Sequence, residues 1–413
     1  MYFRIFNYLK LKIFFLAFFK KNKTKINLFI SRKLTENVKK KFIIFTSYGR
    51  VSLILILNFL KSKQPLKKEI IVSPYNLPEV VNVIKRLNFN VIYCDINYNT
   101  GFYDLANLRR KINKNTAAVV LTNMFNTYNS TIKLKNICNK KKVFLIEDNA
   151  IFFDNYKKNK NQKYYSGSFG DFTFLSFNIM KNLPALLGGA TLTSDKNFYN
   201  YALQQKNKFN NLYTPILLKQ IIIFFIIKLF SNKFLYKKFF FNIIKFSHKY
   251  KINFIIKLFY PSLKFKNLGF PKNYFSKISF FQKKLIYLQL SDNKTRQNNH
   301  ILRKDKNIYY YKKLKKIKNK NINLINIKDF NFQNFIDFPI LVKKRDKLHE
   351  YLLNNSIETR LYYYKNCEYL FEKKSNSSNS TRYEKEILCL PNGKHISFEY
   401  IDKIVDTINS FRF

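Results

Sequence analysis

Between Phe42 and Phe209, short apolar runs alternate with amphipathic stretches, and this alternation restricts the folds open to the chain. Short apolar runs bounded by polar residues are typical of buried strands, and the stretches between them have the spacing of one-sided helices. Such an alternation favours a parallel, doubly wound α/β sheet covered by helices on both faces. The predicted strands are Ile70–Val72, Val91–Cys94, Ala118–Leu121, Val143–Ile146, Phe172–Phe177 and Ala190–Thr193, and the predicted helices are Val51–Lys61, Pro78–Leu87, Leu105–Ile112 and Ile132–Asn139.

The rest of the chain divides around this region. With 413 residues, of which 46% are hydrophobic, the chain can build a sizeable core. We expect a basic, apolar N-terminal segment (1–40), a large α/β domain (41–205), an apolar and basic helical insertion (206–270) and a smaller C-terminal α+β domain (271–413).

The C-terminal segment has mixed patterns. Apolar residues at helical spacing predict one long helix over Ser276–Leu314. The stretches Asn321–Val342, Arg345–Asn354 and Ile357–Tyr364 indicate a strand, a helix and a strand, and Phe398–Phe411 a final helix. The Asn/Ser run Lys374–Thr381 predicts a polar loop and is the best candidate for local disorder.

Charge alone does not identify a partner. The chain has 76 Lys+Arg against 24 Asp+Glu, a net charge of +52, but the lysines are spread almost everywhere. A spread of this kind favours a compositional bias at surface positions, with attraction to an anionic surface as the alternative. No nucleic-acid-binding module is recognisable, so we do not expect a nucleic-acid partner. The four cysteines and four histidines are scattered, which disfavours a metal site.

Two basic, apolar stretches raise the question of a membrane. The N-terminus has no uncharged run longer than Ile13–Phe19, and the run Gln220–Ile227 lies between two lysines. Both are shorter than the roughly 20 apolar residues that a span requires. For residues 215–261, attachment to a membrane interface, burial against the protein body and a true span all remain open.

Glycines are scarce, so their positions are informative. Only eight occur, and four of them lie between residues 167 and 189, while Gly49 precedes the first predicted helix. Glycine is retained where the backbone needs a positive φ or where a ligand approaches closely. The cluster indicates either a binding site or tight turns between neighbouring strands.

An aspartate and a lysine lie where a ligand would bind. Asp148 ends the predicted strand Val143–Ile146, and Lys181 follows the strand Phe172–Phe177 by a short loop. Ligands of parallel sheets bind at the carboxyl ends of the strands, so both side chains could face one pocket. A lysine that binds an aldehyde covalently and an acid that pairs with a pyridinium nitrogen suit a pyridine cofactor.

These residues resemble a known family. The stretch Phe45–Thr193 is similar to the DegT/DnrJ/EryC1/StrS aminotransferases, which are sugar aminotransferases of fold type I that depend on pyridoxal phosphate. The matching elements, in the family's order, are Thr46–Leu53, Phe89–Gly101, Thr116–Phe125, Leu145–Ala150 and Gly167–Asp195, with looser matches at Ser279–Leu290 and Leu388–Ser397.

The resemblance assigns roles to individual residues. It implies that Lys181 is the catalytic lysine that carries the cofactor and that Asp148 pairs with the pyridine nitrogen. The remaining cofactor contacts that it implies are Ser176, Gly49 and Arg50 at the phosphate, Asn123 near the ring, and Tyr75 as a substitute for a stacking aromatic residue. Arg360 and Lys365 are candidate substrate residues.

The chain departs from the family pattern at three cofactor contacts. Ile151 stands where the family usually has Gln or His, Leu77 where it usually has the stacking aromatic residue, and Phe275 where it usually has an asparagine that reaches the partner subunit. The sister dehydratases replace the lysine by histidine, so the retained Lys181 favours transamination. A degenerate family member acting as a peripheral membrane-associated protein is the competing hypothesis.

As a whole, the resemblance implies a large α/β domain, a small α+β domain and a homodimer with its sites at the subunit interface. It implies transfer of an amino group, with glutamate as the expected donor, to a keto-sugar nucleotide for surface polysaccharide or lipopolysaccharide synthesis. The expected location is the cytoplasm, with peripheral contact at the inner face of the cytoplasmic membrane.

Overall fold

The chain begins with two helices that cover one side of the body. The computed structural model describes residues 2–4, 7–160, 162–250, 252, 270, 272–317, 319–361 and 364–412. Helices α1 (Leu11–Phe19) and α2 (Lys23–Val38) follow each other closely, and the Asn22 side chain accepts a hydrogen bond from Lys25 N at the start of α2. In α2 the buried residues recur every four positions, so one face of the helix packs on the body and the other is solvated.

A seven-stranded sheet forms the centre of the molecule. Its strands lie in the order β1-β10-β9-β6-β5-β2-β4, and only β10 runs antiparallel to its neighbours. The predicted, mostly parallel α/β sheet is therefore confirmed, with one further strand, β1, at its edge. The sheet strands are β1 (Phe42–Thr46), β2 (Glu69–Val72), β4 (Asn90–Tyr93), β5 (Thr116–Thr122), β6 (Phe144–Asp148), β9 (Phe172–Ser176) and β10 (Gly189–Thr193), and shorter strands outside it are β3 (Tyr75–Asn76), β7 (Tyr156–Asn159) and β8 (Gln162–Tyr165).

Helices connect these strands, and the four predicted helices are all present. Pro78 begins one of them, and Asp104 caps another by accepting hydrogen bonds from Ala106 N and Asn107 N, as expected from the sequence. The helices are α3 (Gly49–Lys63), α4 (Pro78–Arg86), α5 (Leu105–Lys111), α6 (Tyr128–Lys140) and α7 (Lys196–Asn207).

The insertion is helical where the structure describes it. It contains β11 (Asn210–Asn211), α8 (Thr214–Phe230), α9 (Lys233–Leu235), a π-helical turn (Tyr236–Phe240) and α10 (Phe241–Lys249). Residues 253–269 lie outside the described residues. Among the described helices none is by itself long and apolar enough to cross a bilayer, although α8 and the following helical stretch to His248, bent by 73°, would satisfy length and composition together.

The C-terminal domain contains a three-stranded antiparallel sheet, β13-β14-β16, covered by helices. Its elements are a short 3₁₀ turn (Lys272–Tyr274), β12 (Ser276–Lys277), α11 (Phe280–Ser291), α12 (Asn293–Lys315), β13 (Ile322–Leu324), β14 (Phe338–Val342), α13 (Arg345–Asn354), β15 (Lys365–Asn366), α14 (Cys367–Glu372), α15 (Ser378–Glu386), β16 (Ile387–Leu390) and α16 (Phe398–Asn409).

Four predictions in this domain were wrong in detail. The stretch Asn321–Val342 forms two antiparallel strands, β13 and β14, because the chain reverses direction between them. The long helix Ser276–Leu314 is broken, because Asp292 leaves helical geometry and its carboxylate caps α12 at Thr295 N. Of the strand Ile357–Tyr364, residues 362 and 363 are not described, and only Arg360 among the others forms a bridge, with Cys389. The loop Lys374–Thr381 runs into α15, whose first amides bind the Asp95 carboxylate.

The two domains meet around tyrosines. Strand β3 of the large domain pairs with β15 of the small one, which sets Tyr75 opposite Asn366. The Tyr75 ring, 1% exposed, lies edge-on to Tyr364 and Tyr383 at centroid distances of 5.7 and 5.5 Å. Two of these rings, Tyr75 and Tyr364, also line a cavity between the domains.

Candidate active site

Asp148 and Lys181 lie close enough to act on each other electrostatically. Asp148 is the last residue of β6 and is 6% exposed, and Lys181 lies in the loop that leaves β9. Burial raises the pKa of Asp148 to about 6, although the N–H of Ala150 and the ammonium group of Lys181 favour its charged form. Burial also lowers the pKa of Lys181 to about 8, and Asp148 opposes this shift. The structure therefore brings the two residues together across the strand ends.

Other charges surround Lys181. The guanidinium groups of Arg360 and Arg50 lower its pKa further, while the carboxylate of Glu79 raises it. Within the part of the chain that the structure describes, no hydrogen bond or ion pair engages Lys181 Nζ. At a pKa of about 8, roughly a tenth of this amine is neutral at pH 7, far more than for an ordinary lysine, and the neutral amine is the form that attacks a carbonyl carbon.

The start of α3 lies against the end of β9. A Cβ added to Gly49 would lie 3.2 Å from the Ser176 Cβ, and one added to Gly189 would lie 2.5 Å from Gly49 N. No side chain caps α3, and Ser176 makes no hydroxyl hydrogen bond to any residue that the structure describes. A helix N-terminus without a side-chain cap, beside an unengaged hydroxyl, is suited to a phosphate group.

Arg50 is held at this edge by aromatic rings. Its Nη1 donates a hydrogen bond of 2.6 Å to the Tyr274 hydroxyl, and its guanidinium lies 5.3 Å from the centroid of the Tyr274 ring. The Arg50 guanidinium is therefore held against Tyr274, close enough to Lys181 to lower its pKa.

The glycine cluster has two explanations. Gly167 and Gly170 form a turn whose N–H groups, with that of Phe169, donate to the fully buried carboxylate of Glu147. Gly188 and Gly189 instead allow β10 to approach the start of α3. Part of the cluster is therefore a tight turn, and part of it adjoins the candidate phosphate site.

Asn123 forms hydrogen bonds with Glu147 and Asn126. Its Nδ2 donates to Glu147 Oε2 and its Oδ1 accepts from Asn126 Nδ2, so its amide belongs to the network of Glu147. Adjacent residues of a strand point to opposite faces, and Glu147 therefore faces away from Asp148. Asn123 thus has a structural role in this network, and a contact with the cofactor stays a prediction.

Tyr75 lines a neighbouring cavity of about 60 Å³ between the domains. Ile151 and Tyr364 line the same cavity, and Tyr364 is close enough to Asp148 for that carboxylate to raise its pKa further above its usual range, in addition to burial. Tyr75 is thus near the site, but its ring is held by Tyr364 and Tyr383.

The two candidate substrate residues differ. Arg360 Nη1 forms an ion pair of 2.7 Å with Asp337, and Arg360 acts on Lys181 electrostatically. Lys365 Nζ instead forms an ion pair of 2.9 Å with Glu384 in the small domain. Arg360 therefore lies close enough to Lys181 to act on it, and the role of Lys365 stays a prediction.

The other two departures from the family pattern are apolar contacts. Leu77 immediately precedes α4 and packs between the cores of the two domains. Phe275 packs on Phe209 with a centroid distance of 5.6 Å. Both positions therefore contribute packing in this chain.

Glu79, in the first turn of α4, was not predicted from the sequence as a site residue. Its buried Oε2 has no hydrogen-bond partner among the described residues, and its charge acts on both Lys181 and Tyr364. The available signal was its position directly after Pro78 at a helix start. Across the described residues, no group of His, Cys, Asp and Glu has the arrangement of a metal site.

Parts of this chain are similar in sequence to a known protein family and to characterised proteins. A model of the DegT/DnrJ/EryC1/StrS aminotransferase family matches residues 22–209 and 284–409, leaving out most of the insertion. The chain is 27% identical over 140 residues to GDP-perosamine synthase of Escherichia coli O157:H7, covering 34% of this chain and 37% of that protein. It is 26% identical over 168 residues to GDP-4-keto-6-deoxy-D-mannose 3-dehydratase of Escherichia coli O55:H7, covering 40% and 42%. The aligned regions thus span less than half the length of these curated relatives.

Similarity over the whole chain comes from solved structures. Helicobacter pylori PseC, an aminotransferase involved in the biosynthesis of pseudoaminic acid, has a TM-score of 0.70 and 16% identity over 98% of both chains. This similarity confirms the predicted fold. Because the family model matches well over half of the residues, the chain belongs to the DegT/DnrJ/EryC1/StrS aminotransferase family.

Proposed function

We propose that the protein is a pyridoxal-phosphate-dependent aminotransferase that transfers an amino group, with glutamate as the expected donor, to a keto-sugar nucleotide. The observation that carries the proposal is the proximity of Asp148 and Lys181 to each other and to Arg50 at the start of α3. Family membership and the GDP-perosamine synthase relative support a nucleotide-linked sugar as the acceptor.

The residues present fit this cofactor. Ser176 and the first N–H groups of α3, at Gly49 and Arg50, would hold the phosphate, since no side chain caps this helix. Asp148 would hold the pyridine nitrogen, and Lys181 the aldehyde carbon. When bound, pyridoxal phosphate supplies an aldehyde that takes up the amino group and a ring that accepts electrons.

The chain's own residues account for proton movement and orientation. The raised pKa of Asp148, about 6, lets its carboxyl group share a proton with a ring nitrogen at the strand end. The pKa of Lys181, about 8, lets Nζ accept and return a proton near neutral pH. Arg360, oriented by Asp337, offers a guanidinium to an anionic substrate group. Tyr75 and Tyr364 line the neighbouring cavity between the domains.

Amination is favoured over dehydration because this chain retains Lys181 as a base at the pocket. The residues that would bind the cofactor are also present despite Ile151 and Leu77. The competing hypothesis of an inactive family member therefore receives no support from the site or from the comparisons.

The test is an assay of the purified chain with pyridoxal phosphate, glutamate and a panel of keto-sugar nucleotides, beginning with GDP-4-keto-6-deoxymannose. We expect equal amounts of 2-oxoglutarate and an amino-sugar nucleotide, measured by mass spectrometry, and neither product from Lys181→Ala. Product formation by Lys181→Ala at the wild-type rate, or no amination of any panel member by a cofactor-loaded wild type, would contradict the proposal.

Assembly and location are part of the same proposal. We infer a homodimer, as the family resemblance implies, and contact of residues 215–261 with the inner face of the cytoplasmic membrane. Sedimentation of the purified chain tests the first inference, and the surface described next develops the second.

A further inference from the structure

Helices α1 and α8 expose apolar side chains that would normally be buried. In α8, exposed apolar residues recur at spacings of three and four along one face, namely Leu218, Ile222, Phe225, Ile226 and Leu229. In α1, the exposed residues Leu11, Phe15 and Phe18 have the same spacing. Phe15 is 52% exposed and Ile222 59% exposed. A continuous exposed apolar patch marks an interaction site.

The two helices form one surface because their inner faces pack together. The buried ring of Phe224 stacks on Phe14 with a centroid distance of 5.1 Å, and Phe15 approaches Phe225 to 6.4 Å on the outer side. Lys228 Nζ also donates a hydrogen bond to Asn7 O. Helix α8 is therefore fixed along the body and presents only its outer face, which is incompatible with crossing a bilayer in this arrangement.

The charge around this surface is mainly positive, although Asp292 forms an ion pair with Lys10 directly before α1. Residues 1–35 and 196–291 contain no aspartate or glutamate. Exposed lysines border the apolar residues, among them Lys12 and Lys20 on the α1 side and Lys219 and Lys233 on the α8 side. This arrangement opposes contact with a second, equally cationic copy of the chain, and it favours an anionic partner.

The apolar residues decide which anionic partner fits. A stripe of isoleucine, leucine and phenylalanine side chains is stabilised by contact with other apolar groups. The phosphate backbone of a nucleic acid has no apolar surface of this kind. An anionic bilayer offers both, with acyl chains below a layer of negative headgroups. We propose that α1 and α8 together form a composite surface that binds an anionic lipid bilayer in the plane of the interface.

A second stripe continues this pattern. Phe239, Ile243, Phe246 and Tyr250 are all exposed and follow the same spacing through the π-helical turn and α10. This stretch is bent by 73° from α8, so the proposed surface itself is limited to α1 and α8. The proposal does not depend on the proposed amination.

The test is flotation of the full chain with vesicles rich in phosphatidylglycerol, compared with pure phosphatidylcholine vesicles. We expect most of the wild-type protein to float with the anionic vesicles. The floating fraction should be smaller at high salt and much smaller with the neutral vesicles. The double variant Phe15→Asp/Ile222→Asp should lower the bound fraction by at least about tenfold, because two apolar side chains no longer enter the hydrocarbon. Leu66→Asp, at a residue 87% exposed in the turn after α3, is the matched control and should bind like wild type.

Three results would overturn the proposal. They are a wild type that does not float with anionic vesicles, a double variant that floats as well as wild type, and a double variant that changes from dimer to monomer on sedimentation. The last result would assign the surface to contact between chains. Far-UV circular dichroism checks that the variants are folded. Flotation measures membrane binding alone, so a negative result here does not bear on the proposed amination, which the activity assay tests separately.

Discussion

Glu147 offers a strong test of how the site is supported. Its fully buried carboxylate accepts four hydrogen bonds: Oε1 from Phe169 N and Gly170 N, and Oε2 from Gly167 N and Asn123 Nδ2. In Glu147→Gln an amide NH₂ replaces one of these oxygens and faces two donors. Two hydrogen bonds to a charged group are lost, each contributing roughly 1.5–3 kcal/mol, so we expect the free energy of unfolding to fall by about 3–6 kcal/mol.

Urea unfolding followed by far-UV circular dichroism measures this loss, and amide hydrogen exchange of residues 166–171 locates it. The control is Glu69→Gln in strand β2 of the same sheet, where a half-buried carboxylate accepts one exposed hydrogen bond from Asn113. It should cost less than about 1 kcal/mol. A loss below about 1 kcal/mol in Glu147→Gln, with unchanged exchange in the turn, would refute the assignment of Glu147 as the anchor of this loop.

Two further predictions concern the site itself. Ser176→Ala should weaken binding of pyridoxal phosphate by about tenfold with little change in stability, since this hydroxyl makes no hydrogen bond within the described chain; fluorescence titration and thermal unfolding measure the two effects, and Ser62→Ala is the control. For Lys181 the pKa is about 8 in the folded chain and near its usual value, about 10.4, when unfolded. The unfolded chain then binds more protons between these values, and the cofactor-free protein gains stability from this group as pH rises through that window. Lys181→Met should remove that gain, and an unchanged pH slope would contradict the burial of this amine.

The strands and helices of the large domain could be predicted because their signals are local. Apolar runs, Pro78 at a helix start and Asp104 at a cap each act within a few residues. The pairing of Asp148 with Lys181 followed from one rule, that parallel strands present their carboxyl ends at the same edge. These parts of the site needed no tertiary detail.

The remaining parts depend on contacts between distant residues. Asn123 lies one residue beyond β5, so the alternation of side chains along the strand does not determine where its side chain points. Its amide donates a hydrogen bond to Glu147 instead. Helix α15 begins inside a polar run because Asp95, far away in sequence, binds its first amides. The ion pair of Arg360 with Asp337 arises only once the small domain is folded. No local pattern predicts such contacts.

Covalent labelling tests the central claim, which is that Lys181 is the lysine that binds the cofactor. The cofactor-equilibrated protein is reduced with borohydride, digested, and mapped by mass spectrometry. Lys283 is the matched internal control, because burial lowers its pKa to about 8 as well, although its Nζ contacts Asn27 far from Asp148. We predict stoichiometric labelling of Lys181 in wild type, low labelling of Lys283, and no stoichiometric site in Lys181→Ala. Equal labelling of Lys181 and Lys283, or unlabelled Lys181, would contradict the account.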